Sequence, residues 1–174
     1  MTHWQIRPLT AEHTRGLAEC HIACWREAYR GLVPDHLLAA FDVERLTERW
    51  ERDRVRHPGC LHVAVSEGAV IGFAVAAPDR AADSVAAPQT PVETPVATIQ
   101  LNAIYVRSPW YGTGLADELL RAAVDPEASC SLWVFEQNPR AQAFYRKHGF
   151  ELDGARKVEG FSPAMQVRMV RPGR

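Results

Sequence analysis

The sequence predicts an α/β domain built on a mixed, largely antiparallel sheet. Over residues 11–56, apolar side chains recur every three or four residues, which is typical of helices that pack on a core. From Leu61 onward the spacing falls to two, which is typical of strands, and helical segments then alternate with strands. Such alternation favours helices packed on a central sheet. We expect about six to seven strands flanked by about four to five helices.

Length and composition bound the class of protein. The chain has 174 residues, a formal net charge of −1, 47% hydrophobic and 24% charged residues, so we expect one domain over residues 1–174. The near-neutral charge argues against a nucleic-acid-binding protein, which carries a basic excess. No apolar run approaches the ~20 residues that cross a bilayer, and the N-terminal residues do not resemble a signal peptide. These features predict a cytoplasmic protein that binds neither nucleic acid nor membrane.

The N-terminal third is predicted to hold one strand and three helices. Thr10 and Asp42 carry side-chain oxygens that can cap the helices that follow them. The third predicted helix carries the apolar residues Leu46, Trp50 and Val55. The predicted elements are the strand Gln5–Pro8 and the helices Ala11–Tyr29, Pro34–Ala40 and Val43–Arg56.

The middle of the chain is predicted to form a hairpin, a long loop and a returning strand. Glu67-Gly68 separates the strands Leu61–Ser66 and Ala69–Ala76, and such a dipeptide is typical of a hairpin turn. The segment Pro78–Val96 holds four prolines among small and polar residues, so we expect a long flexible loop. The next strand, Ala97–Val106, is expected to return beside the second strand of the hairpin.

The last third alternates helix and strand. Asn138 followed by Pro139 is typical of a capped helix start, and Gly149 is typical of a helix end. The predicted elements are a helix from Leu115 to about Val124, the strand Ser131–Phe135, a helix from Pro139 toward Gly149, and the antiparallel strands Glu151–Val158 and Met165–Val170.

Four cysteines and seven histidines do not form a metal-ligand pattern. Cys20 and Cys24 lie four residues apart, but no second pair of Cys or His at ligand spacing completes a four-ligand site. We therefore expect free thiols and no metal. A cysteine nucleophile would need a nearby histidine, and no spacing in the sequence selects one.

A glycine turn lies between the strand that ends at Val106 and the helix that follows. Gly112-Thr113-Gly114 lets the backbone turn tightly, and the first turn of a helix offers unpaired N–H groups to a pyrophosphate. Two other glycine motifs fit less well. A dinucleotide fingerprint needs glycine where Asp117 stands, and a P-loop needs lysine where Leu115 stands. On spacing alone, a glycine-rich turn without a ligand remains the alternative.

Two segments resemble the acyl-CoA N-acyltransferase superfamily called GNAT. The family's phosphate loop reads Arg or Gln, two residues, Gly, any residue, and Gly or Ala. Tyr111–Ala116 matches it, with Tyr111 in place of the first Arg or Gln. The segment Cys20–Leu38 is similar to a bacterial subgroup with a Trp-Arg-x-x-Tyr-Arg-Gly run. The family's later motif is matched by Asn138, Ala141, Phe144, Tyr145, Gly149 and Phe150.

The resemblance implies a GNAT fold and transfer of an acetyl group from acetyl-CoA to an amine, without a metal. The strand before the loop would pair with the pantetheine arm, and its backbone N–H groups would polarise the thioester carbonyl. The loop would cradle the pyrophosphate, and Arg107 or Arg146 could reach a phosphate. The residues that the resemblance assigns to acyl-CoA binding are Ile104, Tyr105, Val106, Tyr111, Gly112, Thr113, Gly114, Leu115, Ala116, Asn138 and Tyr145.

Tyr145 and Glu136 are predicted to transfer protons. Tyr145 matches the tyrosine that serves in the family as general acid toward the departing thiolate, with a packing aromatic as the alternative. Many relatives place a glutamate base on the strand before the loop, but Ile99–Asn102 holds no carboxylate here. Glu136 is the nearest carboxylate linked to a motif and is therefore the predicted base. The alternatives are His21, Tyr29, His148 and a water chain.

The acceptor is predicted to be the primary amine of a small molecule, attacked directly in a ternary complex. Trp25 and Tyr29 would line its pocket, with core packing as the alternative, and the loop Pro78–Val96 could cover it. The competing functions are a protein or peptide N-acetyltransferase, a non-catalytic acyl-CoA-binding module and a Cys-dependent acyltransferase. The oligomeric state is open, with a homodimer among the alternatives.

Overall fold

The computed structural model describes residues 3–79, 97–158 and 162–174, which form one seven-stranded sheet and five α-helices. The strands are β1 (Gln5–Pro8), β2 (Leu61–Ser66), β3 (Ala69–Pro78), β4 (Ile99–Val106), β5 (Cys130–Phe135), β6 (Glu151–Val158) and β7 (Met165–Arg171). The helices are α1 (Thr14–Ala28), α2 (Asp35–Ala39), α3 (Val43–Arg56), α4 (Leu115–Ala123) and α5 (Pro139–Lys147). The predicted fold class and order of elements are confirmed.

The sheet runs in the order β1-β2-β3-β4-β5-β7-β6, and only the β4–β5 pair is parallel among the described strands. A parallel pair needs a crossover connection, which α4 supplies. The β2–β3 hairpin turns at Glu67 and Gly68, whose φ angles are 50° and 80°. Strand β3 runs to Pro78, so the predicted loop begins later than expected, and its residues 80–96 lie outside the described residues.

Helix α1 begins later than the sequence predicts. Residues Ala11–His13 form a 3₁₀ turn, and the α-helix begins at Thr14. The side chain of Thr10 caps no backbone N–H group, because its hydroxyl instead lies 2.8 Å from Nδ1 of His13. The predicted start was therefore three residues early, although the helix itself is confirmed.

Helix α3 has the predicted bounds because its cap acts as expected. The carboxylate of Asp42 accepts a hydrogen bond from the backbone N–H of Arg45 at 2.8 Å. Of its apolar residues, Leu46 and Trp50 are buried, whereas Val55 is 64% exposed. Val55 lies five residues after Trp50. Since each residue of an α-helix turns by about 100°, Val55 is rotated by roughly 140° from the face that holds Trp50.

Helices cover both faces of the sheet. Phe73 of β3 is buried in one cluster with Leu17 of α1 and Trp50 of α3. The next residue, Ala74, belongs to a different cluster with Leu115 and Leu119 of α4. Successive strand residues point to opposite faces, so α1 and α3 lie on one side and α4 on the other.

Strands β4 and β5 pair only at their starts. Ile99–Leu101 pairs with Cys130–Leu132, whereas β4 continues beside β3 to Val106 and β5 continues beside β7 to Phe135. On the β3 side, β4 carries one extra residue, Asn102, at a register shift that follows this pairing. The two strands therefore separate in the middle of the sheet and leave an opening between them.

Candidate active site

A cavity of about 1390 Å³ occupies the opening between β4 and β5. It exceeds the roughly 300–1,000 Å³ of sites for one small ligand, so it has room for an extended ligand and a second molecule. The glycine-loop end of this cavity is defined by Tyr111, Gly112, Gly114, Asn138 and Arg140. The aromatic end is defined by Trp25, Tyr29, Phe41, Trp50 and Tyr105.

Two glycines in left-handed backbone shape the glycine-loop end. Gly112 and Gly114 have φ angles of 75° and 91°, which other residues adopt only with strain. Between them, Thr113 donates its hydroxyl to the carbonyl of Trp110 at 2.7 Å and holds the turn closed. Helix α4 then begins at Leu115, and the N–H groups of its first turn have no partner within the helix. A phosphate there would meet these N–H groups and the positive end of the helix dipole.

The predicted loop residues do not all reach the cavity by their side chains. Tyr111, Gly112, Gly114 and Ala116 lie in its wall, whereas Thr113 and Leu115 do not. The Leu115 side chain is fully buried in the core beneath α4. The Thr113 hydroxyl also accepts a hydrogen bond from the backbone N–H of Leu115 at 3.5 Å.

Asn138 and Arg140 bring the start of α5 to the glycine-loop end. Oδ1 of Asn138 accepts a hydrogen bond from the backbone N–H of Ala141 at 3.2 Å, so the predicted cap is confirmed. The guanidinium carbon of Arg140 lies 3.5 Å from the centre of the Tyr111 ring, which is a close cation–π stack. Arg140 is absent from the predicted site residues, although its place in the first turn after the motif's Asn-Pro pair is a sequence signal for it.

The two arginines that the sequence suggests for phosphate binding have other partners. Nε of Arg107 donates to Glu27 at 3.0 Å, and Arg146 donates to Oε1 of Gln142 at 3.2 Å. Among the described residues that line the cavity, neither arginine is found. Arg140 is therefore the arginine that this structure brings to the glycine loop.

A carboxylate also faces the glycine-loop end. Asp117, in the first turn of α4, accepts hydrogen bonds from Nζ of Lys147 at 2.7 Å and from Nε2 of His148 at 2.8 Å. The Lys147 ammonium beside it holds the pKa of Asp117 below its usual range. The negative charge of Asp117 is therefore offset locally, and His148 is held at this end of the cavity, away from the aromatic end.

Ile104, Tyr105 and Val106 form the part of β4 that borders the opening. Each pairs with β3 on one side, whereas the described pairing with β5 stops at Leu101. Within the described residues, the backbone groups on the opening side of β4 therefore lack a strand partner. An extended ligand can pair with this edge as an added strand.

Tyr145 of α5 is buried and lines the cavity. Its ring centre lies 5.4 Å from that of Phe144 and 5.9 Å from that of Phe150, so packing holds the ring in place. Burial raises the pKa of Tyr145 above its usual range, with a smaller contribution from Tyr29. The phenol stays protonated near neutral pH and can donate its proton to a group in the cavity.

The structure does not bring Glu136 into the cavity. Glu136 follows the end of β5, its side chain is 44% exposed, and both carboxylate oxygens accept hydrogen bonds from Arg156, at 2.6 and 2.8 Å. Since Glu136 points to β6 and is absent from the described lining, the geometry does not support it as the base. The carboxylates in that lining are each paired: Glu27 with Arg107, Asp53 with Arg49, and Asp117 with Lys147.

The aromatic end is assembled from α1, α3, β4 and the turn before α3. The ring centre of Trp25 lies 5.0 Å from that of Tyr29 and 5.3 Å from that of Phe41. The hydroxyls of Tyr29 and Tyr105 are hydrogen-bonded at 2.8 Å, and burial raises the pKa of Tyr105. Trp25 and Tyr29 pack against neighbouring rings and also line the cavity. Each residue therefore combines the two roles that the sequence left as alternatives.

His21 is buried among the rings of the aromatic end. Its imidazole lies 5.5 Å from Trp50, 5.6 Å from Trp25 and 5.9 Å from Tyr105, measured between ring centres. Burial lowers the pKa of His21 to about 4, with a smaller effect of Arg49. His21 is therefore neutral at physiological pH and adds no positive charge to this end of the cavity.

The described residues hold no group of three or more His, Cys, Asp or Glu side chains placed to bind a metal ion. Cys20 and Cys24 are both free, with their sulfur atoms 3.8 Å apart. Across the same part of the chain, every helix is too short or too polar to cross a bilayer.

The chain matches a known family. The model of the Acetyltransferase (GNAT) family matches residues 18–150, a range that contains the glycine loop, Asn138 and Tyr145. The chain belongs to the GNAT acetyltransferase family, and the resemblance seen in its motifs is confirmed. The protein is an acetyltransferase that uses acetyl-CoA as its donor.

Individual relatives agree with this assignment. A probable N-acetyltransferase of Mycobacterium tuberculosis is 29% identical over 142 residues, which cover 79% of this chain and 74% of the relative. The fold matches the PaiA N-acetyltransferase of Thermoplasma acidophilum in complex with coenzyme A, with a TM-score of 0.68, 17% identity, and 98% and 99% of the two chains covered. It also matches YncA of Salmonella typhimurium with acetyl-CoA, with a TM-score of 0.66, 15% identity, and 98% and 94% covered. At these identities the structural matches show a shared fold.

Proposed function

We propose that the protein transfers the acetyl group of acetyl-CoA to the primary amine of a small molecule, by direct attack while both substrates are bound. The shared cavity is the observation that carries this proposal. The glycine-loop end, the opening side of β4 and the aromatic end belong to one space of about 1390 Å³, and Tyr145 lies in its wall. A donor and an acceptor can therefore meet there without a covalent enzyme intermediate.

The glycine loop and β4 are the proposed donor site. Backbone N–H groups from Gly112 to Ala116 would hold the pyrophosphate at the start of α4. The edge of β4 from Ile104 to Val106 would pair with the pantetheine arm, and Asn138 would contact that arm from the start of α5. Acetyl-CoA supplies the acetyl group as a reactive thioester.

Tyr145 is the proposed general acid. Its phenol keeps its proton because burial raises its pKa, and it would give that proton to the sulfur as the carbon–sulfur bond breaks. The same low-polarity surroundings make a departing thiolate more basic, which favours the transfer. The products are the acetylated amine and the free thiol of CoA.

The amine is proposed to enter as the free base. Glu136 lies outside the described cavity, and the carboxylates in its wall are paired with cations, so none of them is placed as a free base. The amine nitrogen would release its proton to solvent after attack, and the Tyr145 phenolate would take up a proton from solvent after the thiol has formed. We therefore expect kcat/KM to rise with pH up to the pKa of the amine itself.

The aromatic end is the proposed acceptor site. Trp25, Tyr29 and Phe41 form an edge-to-face aromatic wall there, and such a wall buries the apolar body of a small amine well. Helices α1 and α3 flank this wall. The contact area that its rings offer suits the apolar body of a compact amine.

The test measures free thiol released from acetyl-CoA with small primary amines, with peptides, or with no acceptor. We expect thiol release and an acetylated product with a small amine, and none without an acceptor. Transfer to peptides alone would establish a peptide acceptor instead. Tight CoA binding with no transfer to any acceptor would establish a non-catalytic acyl-CoA-binding protein. Retained activity in Cys24→Ser and Cys60→Ser, the cysteines that line the cavity, would exclude a cysteine mechanism.

A further inference from the structure

We infer that Arg140 supplies from α5 the phosphate-binding cation that the glycine loop lacks at Tyr111, and that Tyr111 orients it. The inference rests on the proposed binding of acetyl-CoA at the glycine-loop end. Its ligand is a phosphate of the pyrophosphate linkage. The observation behind it is the stack of the Arg140 guanidinium on the Tyr111 ring at 3.5 Å.

The stack leaves the phosphate-binding part of Arg140 exposed. An arginine that lies flat on an aromatic ring uses its face for that contact, while its N–H groups point outward in the plane of the guanidinium. Those N–H groups are the ones that form paired hydrogen bonds with phosphate oxygens. Tyr111 and Arg140 both line the cavity, so the outward groups are within reach of a ligand there. The stack also restricts the Arg140 side chain before any ligand binds, which lowers the entropy cost of binding.

Arg140 differs from the other cations that line the cavity in its carboxylate partners. Lys147 is 2.7 Å from Asp117, and Arg49 is 3.8 Å from Asp53. Arg140 also lines the cavity, but no carboxylate of the described residues lies within 4.0 Å of its guanidinium nitrogens. A cation without an opposing carboxylate beside a helix start is suited to an anionic ligand.

The position of Tyr111 selects the pyrophosphate over the more distant 3′-phosphate. Tyr111 directly precedes Gly112, and the N–H groups of the first turn of α4 begin at Leu115, four residues after Tyr111. A group stacked on Tyr111 therefore lies next to the anion that the loop holds. In the family pattern an Arg or Gln stands at this loop position; in this chain the cation comes from α5 instead.

The experiment measures the Kd of CoA, dephospho-CoA and pantetheine by calorimetry for wild type and Arg140→Ala. We expect Arg140→Ala to weaken CoA and dephospho-CoA by about 10- to 100-fold and to leave pantetheine unchanged, since hydrogen bonds to charged groups contribute about 1.5–3 kcal/mol. Arg121→Ala, an exposed arginine of α4 outside the cavity, is the matched control and should bind like wild type. Thermal unfolding of each variant checks that it is folded.

Variants of Tyr111 test the positioning role separately. Tyr111→Phe keeps the ring and should bind CoA within about twofold of wild type, whereas Tyr111→Leu should weaken it by roughly three- to tenfold, the range of one aromatic contact. The double variant Tyr111→Arg with Arg140→Ala returns the cation to the loop and should recover most of the affinity. A structural role alone would not produce that recovery.

Three outcomes would overturn the inference. Unchanged CoA affinity in Arg140→Ala would remove Arg140 from the site, and a loss seen with CoA but not with dephospho-CoA would place it on the 3′-phosphate. An equal loss with pantetheine would mean that the substitution disturbs the fold of the cavity. Wild-type protein that binds CoA and transfers no acetyl group would refute the proposed function and leave the Arg140 result intact.

Discussion

The two ends of the cavity are built in different ways. The glycine-loop end uses backbone N–H groups and two residues with positive φ in a short stretch at the start of α4, to which α5 adds Asn138 and Arg140. The aromatic end uses side chains from α1, α3 and β4, which are far apart in the chain. Backbone N–H groups are present whatever the side chains are. They therefore suit a ligand that stays the same while the sequence varies. Side chains suit a ligand that differs from one relative to the next.

The two ends also differ in charge. Arg140, Lys147 and Asp117 place charged groups at the glycine-loop end. At the aromatic end His21 is neutral, because burial lowers its pKa to about 4, and Arg49 is paired with Asp53 at 3.8 Å. The difference agrees with the proposed phosphate-bearing donor at one end and the proposed uncharged amine at the other.

The largest effect is expected where the two ends meet, at Tyr145. Tyr145→Phe removes the acid but keeps the ring, so kcat should fall by about 100-fold or more while the Kd of CoA stays within twofold. Stopped assays of thiol release and calorimetry give the two quantities. Phe144→Leu, which changes the neighbouring ring, should reduce kcat far less. Unchanged turnover in Tyr145→Phe would remove Tyr145 from proton transfer.

The next effect concerns the neutrality of the aromatic end. The pKa of His21 is lowered by burial from its ordinary 6.5 to about 4, so between these values the unfolded chain binds a proton that the folded chain does not. Stability from this source is complete above pH 6.5 and is lost as pH falls toward 4, by up to about 3 kcal/mol. Urea unfolding from pH 7.5 to 4 measures it.

His21→Leu is the variant that isolates this effect. It should flatten the acid loss of stability, although the burial-lowered pKa of His62 leaves a smaller slope in the same direction. An equally steep pH dependence in His21→Leu would show that His21 is not held neutral by the aromatic end.

A smaller effect is expected from the backbone of the glycine loop. Gly114→Ala places a side chain at a φ of 91°, at a cost of about 1–2 kcal/mol, and a loop that relaxes away from this φ should raise the Kd of CoA by up to roughly tenfold. Gly154→Ala introduces the same strain at the same φ of 91° in β6, outside the cavity. Both variants should lose similar stability, but only Gly114→Ala should lose CoA affinity. Equal CoA binding by the two would mean that loop geometry does not hold the donor.

The smallest effect separates the ends by substrate. Trp25→Leu should raise KM for the amine by about three- to tenfold, the range of one aromatic contact, and leave the Kd of CoA unchanged. Trp4→Leu, which removes a tryptophan outside the cavity, is the control. A change in CoA affinity without a change in KM for the amine would show that the aromatic end binds the donor and not the acceptor.

Local sequence patterns indicate the elements of the glycine-loop end more directly than those of the aromatic end, for a physical reason. Asn138 and the two glycines act within a few residues of themselves, through a cap and positive φ angles. Phe41 and Trp50 reach the cavity only because α1, α3 and β4 pack together, which no local pattern encodes. Trp25 and Tyr29 were identified through the family resemblance.

Two features of the site depend on contacts between elements that are distant in the chain. Glu136 was chosen by its closeness to a motif along the chain, but its carboxylate lies against Arg156 of β6. Arg140 was overlooked because its contact with Tyr111 joins α5 to a loop almost thirty residues earlier. In the fold itself, Asp42 correctly indicated the start of α3, because a cap depends only on neighbouring residues. Thr10 did not cap α1, because its hydroxyl is hydrogen-bonded to the side chain of His13.

A single-turnover experiment tests the central claim most directly, namely direct transfer between the two ends of one cavity. Wild-type protein is mixed with an equal amount of acetyl-CoA, with and without a small amine substrate, and both free thiol and protein mass are followed. We predict thiol release only with the amine, matched by acetylated amine, and no acetylated protein at any time. Thiol release without the amine, together with an acetylated protein intermediate, would contradict direct attack in this cavity.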